Sequence, residues 1–394
     1  MRAVLLFGVR LVFRLAYYGV ILPLLWLAEP FWRFRFTHMW AARFGPLAFI
    51  HHQYVGRIRL DGPERRTTRI WFGAEPANRQ LFEMWKRVLP IVESRSLSAI
   101  YHHTRDITGN SRFFAAWPYE FEGFRENDIG PVLAFTEEEE ARGQAELARM
   151  GLGPDDWWIC FQGRDPLFHE LRGYGDSGSH RNCATESYLK AAEHVVGLGG
   201  FALRMGAATE RALPESGNPR IVDYATRFRS DFSDIYLLGK CRFLLGCASG
   251  TESIPPLFKQ PIAQANRVPV WPTVAGRQSL YIPKLIRESA GGCILSWREI
   301  EKAGAFDLTP GVIERWIYPG RLAPLGLELV ENDADDILGL CLDMLERLDH
   351  GLSPEDQALQ AAYKRRYLGG LRAIEFAPDI GPRFLRRHAG LFDL

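Results

Sequence analysis

From about residue 150 onward, two apolar patterns alternate along the chain. Short apolar runs recur: WWICFQ (157–162), FALRM (201–205), RFLLGC (242–247) and PIAQAN (261–266), with IVDY (221–224) a shorter one. Their length suits strands buried in a sheet. Between them, residues 186–197 and 231–240 carry helical spacing, and residues 250–258 start a helix that Pro255 and Pro256 complicate. Strands separated by helices of this length predict right-handed βαβ units and a parallel sheet. In the first half, PLAFI (46–50) and RIWFG (69–73) read as strands, and residues 78–93 as a helix that Pro90 ends or kinks. Residues 101–129 have no clear period and read as a long surface loop. Thr136 and Glu139 have capping-box spacing at the start of a helix that Gly151 closes. After strand-like LELVEN, the tail predicts a helix over 333–348 and another capped by Ser353 with Pro354 at its first position, both expected to pack back on the first domain.

The N-terminus breaks this pattern. Residues 3–28 are apolar except for Arg10 and Arg14, with Pro23 as a bend. The uncharged part, Leu15 to Ala28, falls short of the ~20 residues a spanning helix needs. Arg2, Arg10, Arg14, Arg33, Arg35 and Arg43 flank it with Glu29 as the lone acid, and Trp26, Phe31 and Trp32 suit an interfacial belt. This predicts a peripheral or monotopic helix on the cytoplasmic face of the inner membrane, drawn to anionic lipid. A buried core helix is the plainer alternative. The full length of 394 residues then accommodates four parts: a basic, apolar segment 1–40, a first α/β domain 41–152, a second α/β domain 153–350 and C-terminal helices 351–394.

Composition adds limits. With 47% hydrophobic and 24% charged residues the chain can bury a core, and a net charge of +1 offers no bulk field for nucleic acid. Six cysteines without a CxxC pair read as buried, reduced thiols in a reducing compartment.

In an open parallel sheet, ligands bind at the carboxyl ends of the strands. Gly163, Arg164 and Asp165 follow the first of these strands, with His180, Arg181 and Asn182 before the next helix. Arg204 and Gly206 end the second. Arg227, Arg229, Ser230, Asp231 and Asp234 follow the third, Ser249, Gly250 and Glu252 the fourth, and Arg267 the fifth. Arginine binds phosphate bidentately and stays charged. A Ser-Gly turn opening a helix offers free N–H groups to an anion. Together these are fixed donors for a departing diphosphate, with no metal or cofactor assigned. Each also has a plainer reading. Arg164–Asp165 forms a structural ion pair, Arg204 covers a sheet edge, and Ser230 or Asp231 caps a helix. The pairs His51–His52 and His102–His103, expected on opposite sides of a strand, read as packed or solvated. Asp333-Ala334-Asp335 reads as a helix cap before it reads as a metal motif.

The runs WWICFQGRD, HRNCATESY, GGFALRMG, DYATRFRSDFSDIYLLGKCRFLLGCASG and LFKQPIAQAN, over residues 157–270, resemble bacterial glycosyltransferases of surface-polysaccharide clusters, themselves similar to the fucosyltransferase-like branch of the GT-B fold. Weaker echoes lie at residues 43–48 and 77–92, where Pro46 stands in place of a histidine usual in that family. The resemblance implies two Rossmann-type domains facing across a cleft, the first holding the acceptor. It also implies a nucleotide sugar near Arg164, Arg204, Arg229 and Ser249, and inverting, metal-independent transfer to a glycan or lipid-linked acceptor. Asp165 and His180 are the candidate bases within these motifs. A non-catalytic glycan- or protein-binding module at the membrane is the alternative.

Overall fold

The computed structural model describes residues 2–63, 65–109, 111–114, 129–167, 170, 179–207, 212–214, 217–268, 276, 278–304, 322–369 and 378–394. The chain divides into two units, residues 1–121 with 132–134, and residues 122–131 with 135–394.

The first unit opens on a continuous helix: α1 (Arg2–Ala16), a π-helical turn (Tyr17–Ile21) and α2 (Leu22–Ala28). The wide turn lies just ahead of Pro23, whose ring and missing N–H disturb the preceding turn. Tyr17 anchors the helix. It is buried, its hydroxyl lies 2.6 Å from Ser111 Oγ, and its ring meets Phe13 and Phe114. Most other large apolar side chains here stay open, with Phe7, Leu15, Leu27 and Phe31 at 67–75% exposure. The stretch Leu11–Ala28 is long and apolar enough to cross a membrane. Its basic flank is partly neutralised, because Arg14 pairs with Asp106 at 2.6 Å and Arg35 holds both carboxylate oxygens of Glu29.

Segment 1–40 is also not all helix, since it ends in β1 (Arg33–His38). Its charged residues read as flank, although their alternation with Phe34 and Phe36 is that of a strand. PLAFI, expected as a strand, lies inside α3 (Phe44–Asp61). Pro46 is tolerated there because the first turn of a helix has N–H groups without intrahelical acceptors. Leu47, Ala48, Ile50, His51, His52 and Val55 are all buried, so the helix shows an unbroken apolar run that looks like a strand. Next come β2 (Thr67–Gly73), α4 (Arg79–Lys86, capped by Asn78), β3 (Ile91–Glu93), α5 (Arg95–His103) and the single turn α6 (Arg105–Thr108). The strands form a parallel sheet in the order β1-β2-β3. The start of the expected 101–129 loop is therefore helical, and residues 115–128 lie outside the described ones.

His51 and His52 are packed, on a helix. His51 Nδ1 lies 2.8 Å from the Leu47 carbonyl, and its ring touches Trp71 and Trp85 with its Nε2 buried and without a hydrogen-bond partner among the described residues. Burial lowers its pKa to about 4 from 6.5. The unfolded chain therefore takes up a proton below about pH 6.5 that the folded chain refuses, and stability is lost as pH falls towards 4. We expect His51→Phe to flatten the dependence of urea midpoint on pH between about 6.5 and 4; an unchanged slope would rule this out.

The second unit begins with α7 (Glu137–Arg149), whose capping box is formed as expected and whose Gly151 has φ +89°. Then come β4 (Trp158–Phe161), α8 (Leu189–Gly197), β5 (Phe201–Arg204), β6 (Ile221–Val222), the short α9 (Tyr224–Arg227), α10 (Asp231–Lys240), β7 (Leu244–Gly246) and β8 (Ile262–Arg267). The remainder is β9 (Leu280–Pro283), β10 (Leu285–Glu288), α11 (Trp297–Lys302), β11 (Leu327–Val330), α12 (Ala334–His350), α13 (Pro354–Tyr363), β12 (Asp379–Ile380) and α14 (Pro382–Arg387). Seven strands form an all-parallel sheet, β12-β9-β8-β7-β4-β5-β6. The chain winds outward one way from β4 and returns to wind outward the other way from β7. That is the doubly wound Rossmann order, with its topological switch between β4 and β7. The first unit's described sheet, at three strands, is smaller than a full domain of this kind.

Two expectations change here. Residues 250–258 form two 3₁₀ turns, Gly250–Ser253 and Pro255–Phe258, because adjacent prolines remove successive N–H donors. The tail, expected to lie on the first domain, places its described residues in the second unit: β12 pairs with β9, and Tyr363, Phe384 and Phe392 enter the core of that sheet. Asp333 is the N-cap of α12, accepting from the amides of Asp335 and Asp336 at 2.9 Å, and it pairs with Arg387.

Candidate functional site

The switch point sets the site. Gln162 to Asp165 leave the end of β4, and Cys247 to Gly250 leave the end of β7. Ser249 Oγ donates to Gln162 Oε1 at 3.3 Å across the gap. The floor is tight: a Cβ on Gly163 would sit 2.7–2.8 Å from backbone atoms of Thr185, so only glycine lets the two segments approach. Cys183 N donates to the Arg164 carbonyl at 3.2 Å and closes the same contact.

Four cations converge here. Arg164 is buried and donates to Asn182 Oδ1 at 3.0 Å. Burial, and then the neighbouring Arg181, lower its pKa to about 10. Lys284, buried just after β9, donates to the Asn182 carbonyl at 2.7 Å, with Glu331 at 3.7 Å. Arg267 ends β8 and is buried, and Arg181 lies in a 3₁₀ turn, Ser179–Arg181. The Nε atoms of both Arg181 and Arg267 are buried without a hydrogen-bond partner among the described residues. His180 sits among all four. Burial first, then Arg181, Arg164, Lys284 and Arg267, hold its pKa at about 4, so it is neutral at ordinary pH and a weak base. The facing carboxyl group is Glu252, bonded by the amide of Gln264. Burial raises it to about 7 although Arg267 and Arg181 pull the other way.

Arg267 points into this cluster because of a backbone irregularity. The β8–β9 register shifts between Gln264 and Arg267, and Asn266 has φ +54°. A left-handed non-glycine residue costs energy and needs locking. Asn332 supplies the lock: Asn266 N donates to its Oδ1 at 2.6 Å, and Asn332 N donates back to Asn266 Oδ1 at 2.8 Å. Bulges of this kind re-aim side chains beside functional sites.

The residues predicted from sequence separate into groups. Arg164, Arg181, His180, Asn182 and Glu252 join the cluster. Arg164, Asp165, Asn182 and Arg204 line a cleft of about 370 Å³. Asp165 Oδ1 also accepts from Leu167 N at 2.9 Å. Arg204, however, is held by Asp223 at 3.1 and 3.3 Å, so its charge is already met. Arg229 donates to Asp234 at 2.9 Å, and Ser230 caps α10 by accepting from Ser233 N. Burial lifts Asp234 to about 6, with Arg229 and the Tyr224 hydroxyl opposing. Asp231 lies in the first turn of α10. The cap at Ser230 is the plainer role expected for it, whereas Arg204 is paired on an inner strand and covers no sheet edge, and the Arg229–Asp234 pair has no counterpart in the sequence reading. Gly206 follows β5 and lines neither the cluster nor the cleft. Ser249 and Gly250 open a four-residue 3₁₀ turn without the dipole of a long helix. Lys284 and Gln264 were absent from the sequence candidates. Arg267 was visible only as a strand-end arginine.

What the fold and site define is a doubly wound α/β protein with a cluster of four cationic side chains at its switch point. No protein-family model matches the chain, and no curated protein matches it. Among solved structures it is similar to a glycosyl transferase family 9 protein from Veillonella parvula DSM 2008, at 12% identity and a TM-score of 0.37, over 59% of this chain and 80% of that one. It is also similar to the dodecameric iron-containing heptosyltransferase TibC in complex with ADP-D-beta-D-heptose, at 10% identity and a TM-score of 0.36, over 79% of this chain and 76% of that one. Superposition at this level decides nothing about what this chain binds.

Proposed function

We propose that this protein is a glycosyltransferase that takes a nucleotide sugar at the switch point of its second unit and passes the sugar to a glycan or lipid-linked acceptor at a membrane surface. One observation carries the donor half of this reading: the buried Arg267 and the half-buried Arg181 have buried Nε atoms with no hydrogen-bond partner among the described residues, and both lie beside Arg164 and Lys284. Burying such donors unsatisfied costs free energy that a bound anion returns. A diphosphate gains charge as it leaves, so fixed cations favour the transition state over the ground state. The resemblance of residues 157–270 to polysaccharide-cluster transferases supports sugar as the transferred group. The exposed apolar face of residues 7–32 supports the membrane surface.

In mechanism, Arg164, Arg181, Arg267 and Lys284 would grip the diphosphate, and Asn182 would hold Arg164 and Lys284 in place. Glu252 faces the guanidinium groups and would accept from donor hydroxyls. Asp165, on the rim of the cleft, is the stronger candidate base, because His180 is too weakly basic in this field. Inversion without a metal is the expected course.

The test is calorimetric titration with a panel of nucleoside diphosphates and nucleotide sugars, followed by mass spectrometry of products formed with membrane extract. We expect one nucleotide series to bind and one sugar to move. No nucleotide bound at millimolar concentration would favour a non-catalytic module instead.

A further inference from the structure

The first unit has a cleft of its own, which the donor reading does not use. It opens beyond the carboxyl ends of β1 and β2, encloses about 560 Å³ and falls in the size range of small-molecule sites. His38, the last residue of β1, stacks on Tyr101 of α5 with ring centroids 4.9 Å apart and planes 10° apart, and meets His102 edge-on at 4.6 Å. Burial, and then His102 and Arg105, lower its pKa to about 4, leaving a neutral ring at ordinary pH. Trp40 borders the same space with 47% of its surface exposed.

The rim is basic. Arg43, Arg95 and Arg105 line it, and the facing acid is Glu75, which pairs with Arg95 at 3.0 Å. Arg105 has no ion pair or hydrogen bond from its side chain to any described residue, and it is exposed. The Ser98 hydroxyl in the wall is buried and has no hydrogen-bond partner among the described residues. Flat rings therefore meet the charge of Arg105, which no described residue pairs, and the spare Ser98 hydroxyl. The C–H face of a pyranose packs on aromatic rings, its hydroxyls suit Ser98 and His38, and a phosphate suits arginine.

We infer that this cleft binds a sugar phosphate. The inference stands apart from the donor reading, since it concerns other residues in the other unit. The sugar phosphate is either soluble or carried on a lipid. Tyr101 also stacks against Phe114, which packs on Tyr17 of the apolar N-terminal helix, so the cleft lies one aromatic layer from the exposed apolar surface.

The test uses the full chain. Glucose 1-phosphate, glucose and inorganic phosphate are titrated by calorimetry. In parallel, phosphatidylcholine vesicles with and without a polyprenyl-phosphate hexose are assayed for binding. The sugar phosphate should bind more tightly than either of its parts, in the soluble arm, the vesicle arm or both, and the arm that responds identifies the carrier. Arg105→Ala should weaken it about tenfold, the loss of one charge-assisted contact. Trp40→Ala is the second variant should the first misfold, and it should weaken the sugar phosphate more than phosphate alone. Arg267→Met should leave this binding unchanged, so that failure here and failure of the donor site are read separately. No binding in either arm, equal binding in Arg105→Ala, or tighter binding of a nucleoside monophosphate than of the sugar phosphate would overturn the proposal.

Discussion

Replacing Arg267 with methionine should weaken nucleoside diphosphate binding about a hundredfold, with the urea midpoint close to that of the parent. The guanidinium is buried and makes no side-chain hydrogen bond to a described residue, so its removal deletes no structural contact of that kind. Methionine fills much of the same volume. A charge-assisted hydrogen bond to phosphate is worth about 1.5–3 kcal/mol, and loss of the focused field adds to it. A titration within about threefold of the parent would remove the switch point as the donor site. Glu252 supplies a second readout on the same complex. Its carboxyl titrates near 7, raised above its ordinary value, so it is largely neutral at pH 6 and ionised at pH 8. Ionisation adds a negative charge beside the phosphates, and this contribution weakens binding as pH rises through about 7. The nucleotide's own phosphate titrates nearby, so the difference between parent and Glu252→Gln isolates the protein's share. The variant should bind more tightly above pH 7 and match the parent below about 6.

Replacing Arg204 with methionine should do the reverse, lowering stability by about 3–5 kcal/mol. Arg204 and Asp223 are both buried, and Asp223 also accepts from Leu213 N at 3.0 Å and Thr226 Oγ1 at 2.7 Å. Without the guanidinium a buried carboxylate keeps two donors and loses its counter-charge. Arg204→Met with Asp223→Asn should recover much of the loss, because neither partner then carries an unpaired charge. Urea unfolding measures both variants. If the single variant unfolds like the parent while losing nucleotide, Arg204 belongs to the donor site and the ion-pair assignment fails.

These two arginines mark how far the sequence could be read. Both sit at strand ends, and periodicity places them on the same carboxyl edge of the sheet. Whether such a residue is available to a ligand depends on its partner. Asp223 is 19 residues from Arg204, at the end of a neighbouring strand. Arg229 has the same history, its partner Asp234 lying one helical turn on. Lys284 reaches the site through β9, a four-residue strand too short to carry a periodic signature. Residues 46–50 of helix α3 read as a strand because burial on several sides erases the polar positions that separate the two periods.

The sequence by itself determined the α/β class, the parallel strands from Trp158 to Arg267, the capping of α7, α12 and α13, and the exposed apolar start. All of these follow from local spacing, where each residue's neighbours in the chain are also its neighbours in space. The tertiary structure alone decided the strand order that puts the switch between β4 and β7. It also decided the lock of Asn332 on a left-handed Asn266 that turns Arg267 inward, and the sorting of arginines into paired and unpaired. The first two depend on contacts between residues far apart in the chain, 66 positions for Asn266 and Asn332, while the sorting turns on side-chain geometry at any separation, 19 positions for Arg204 and Asp223 and 5 for Arg229 and Asp234.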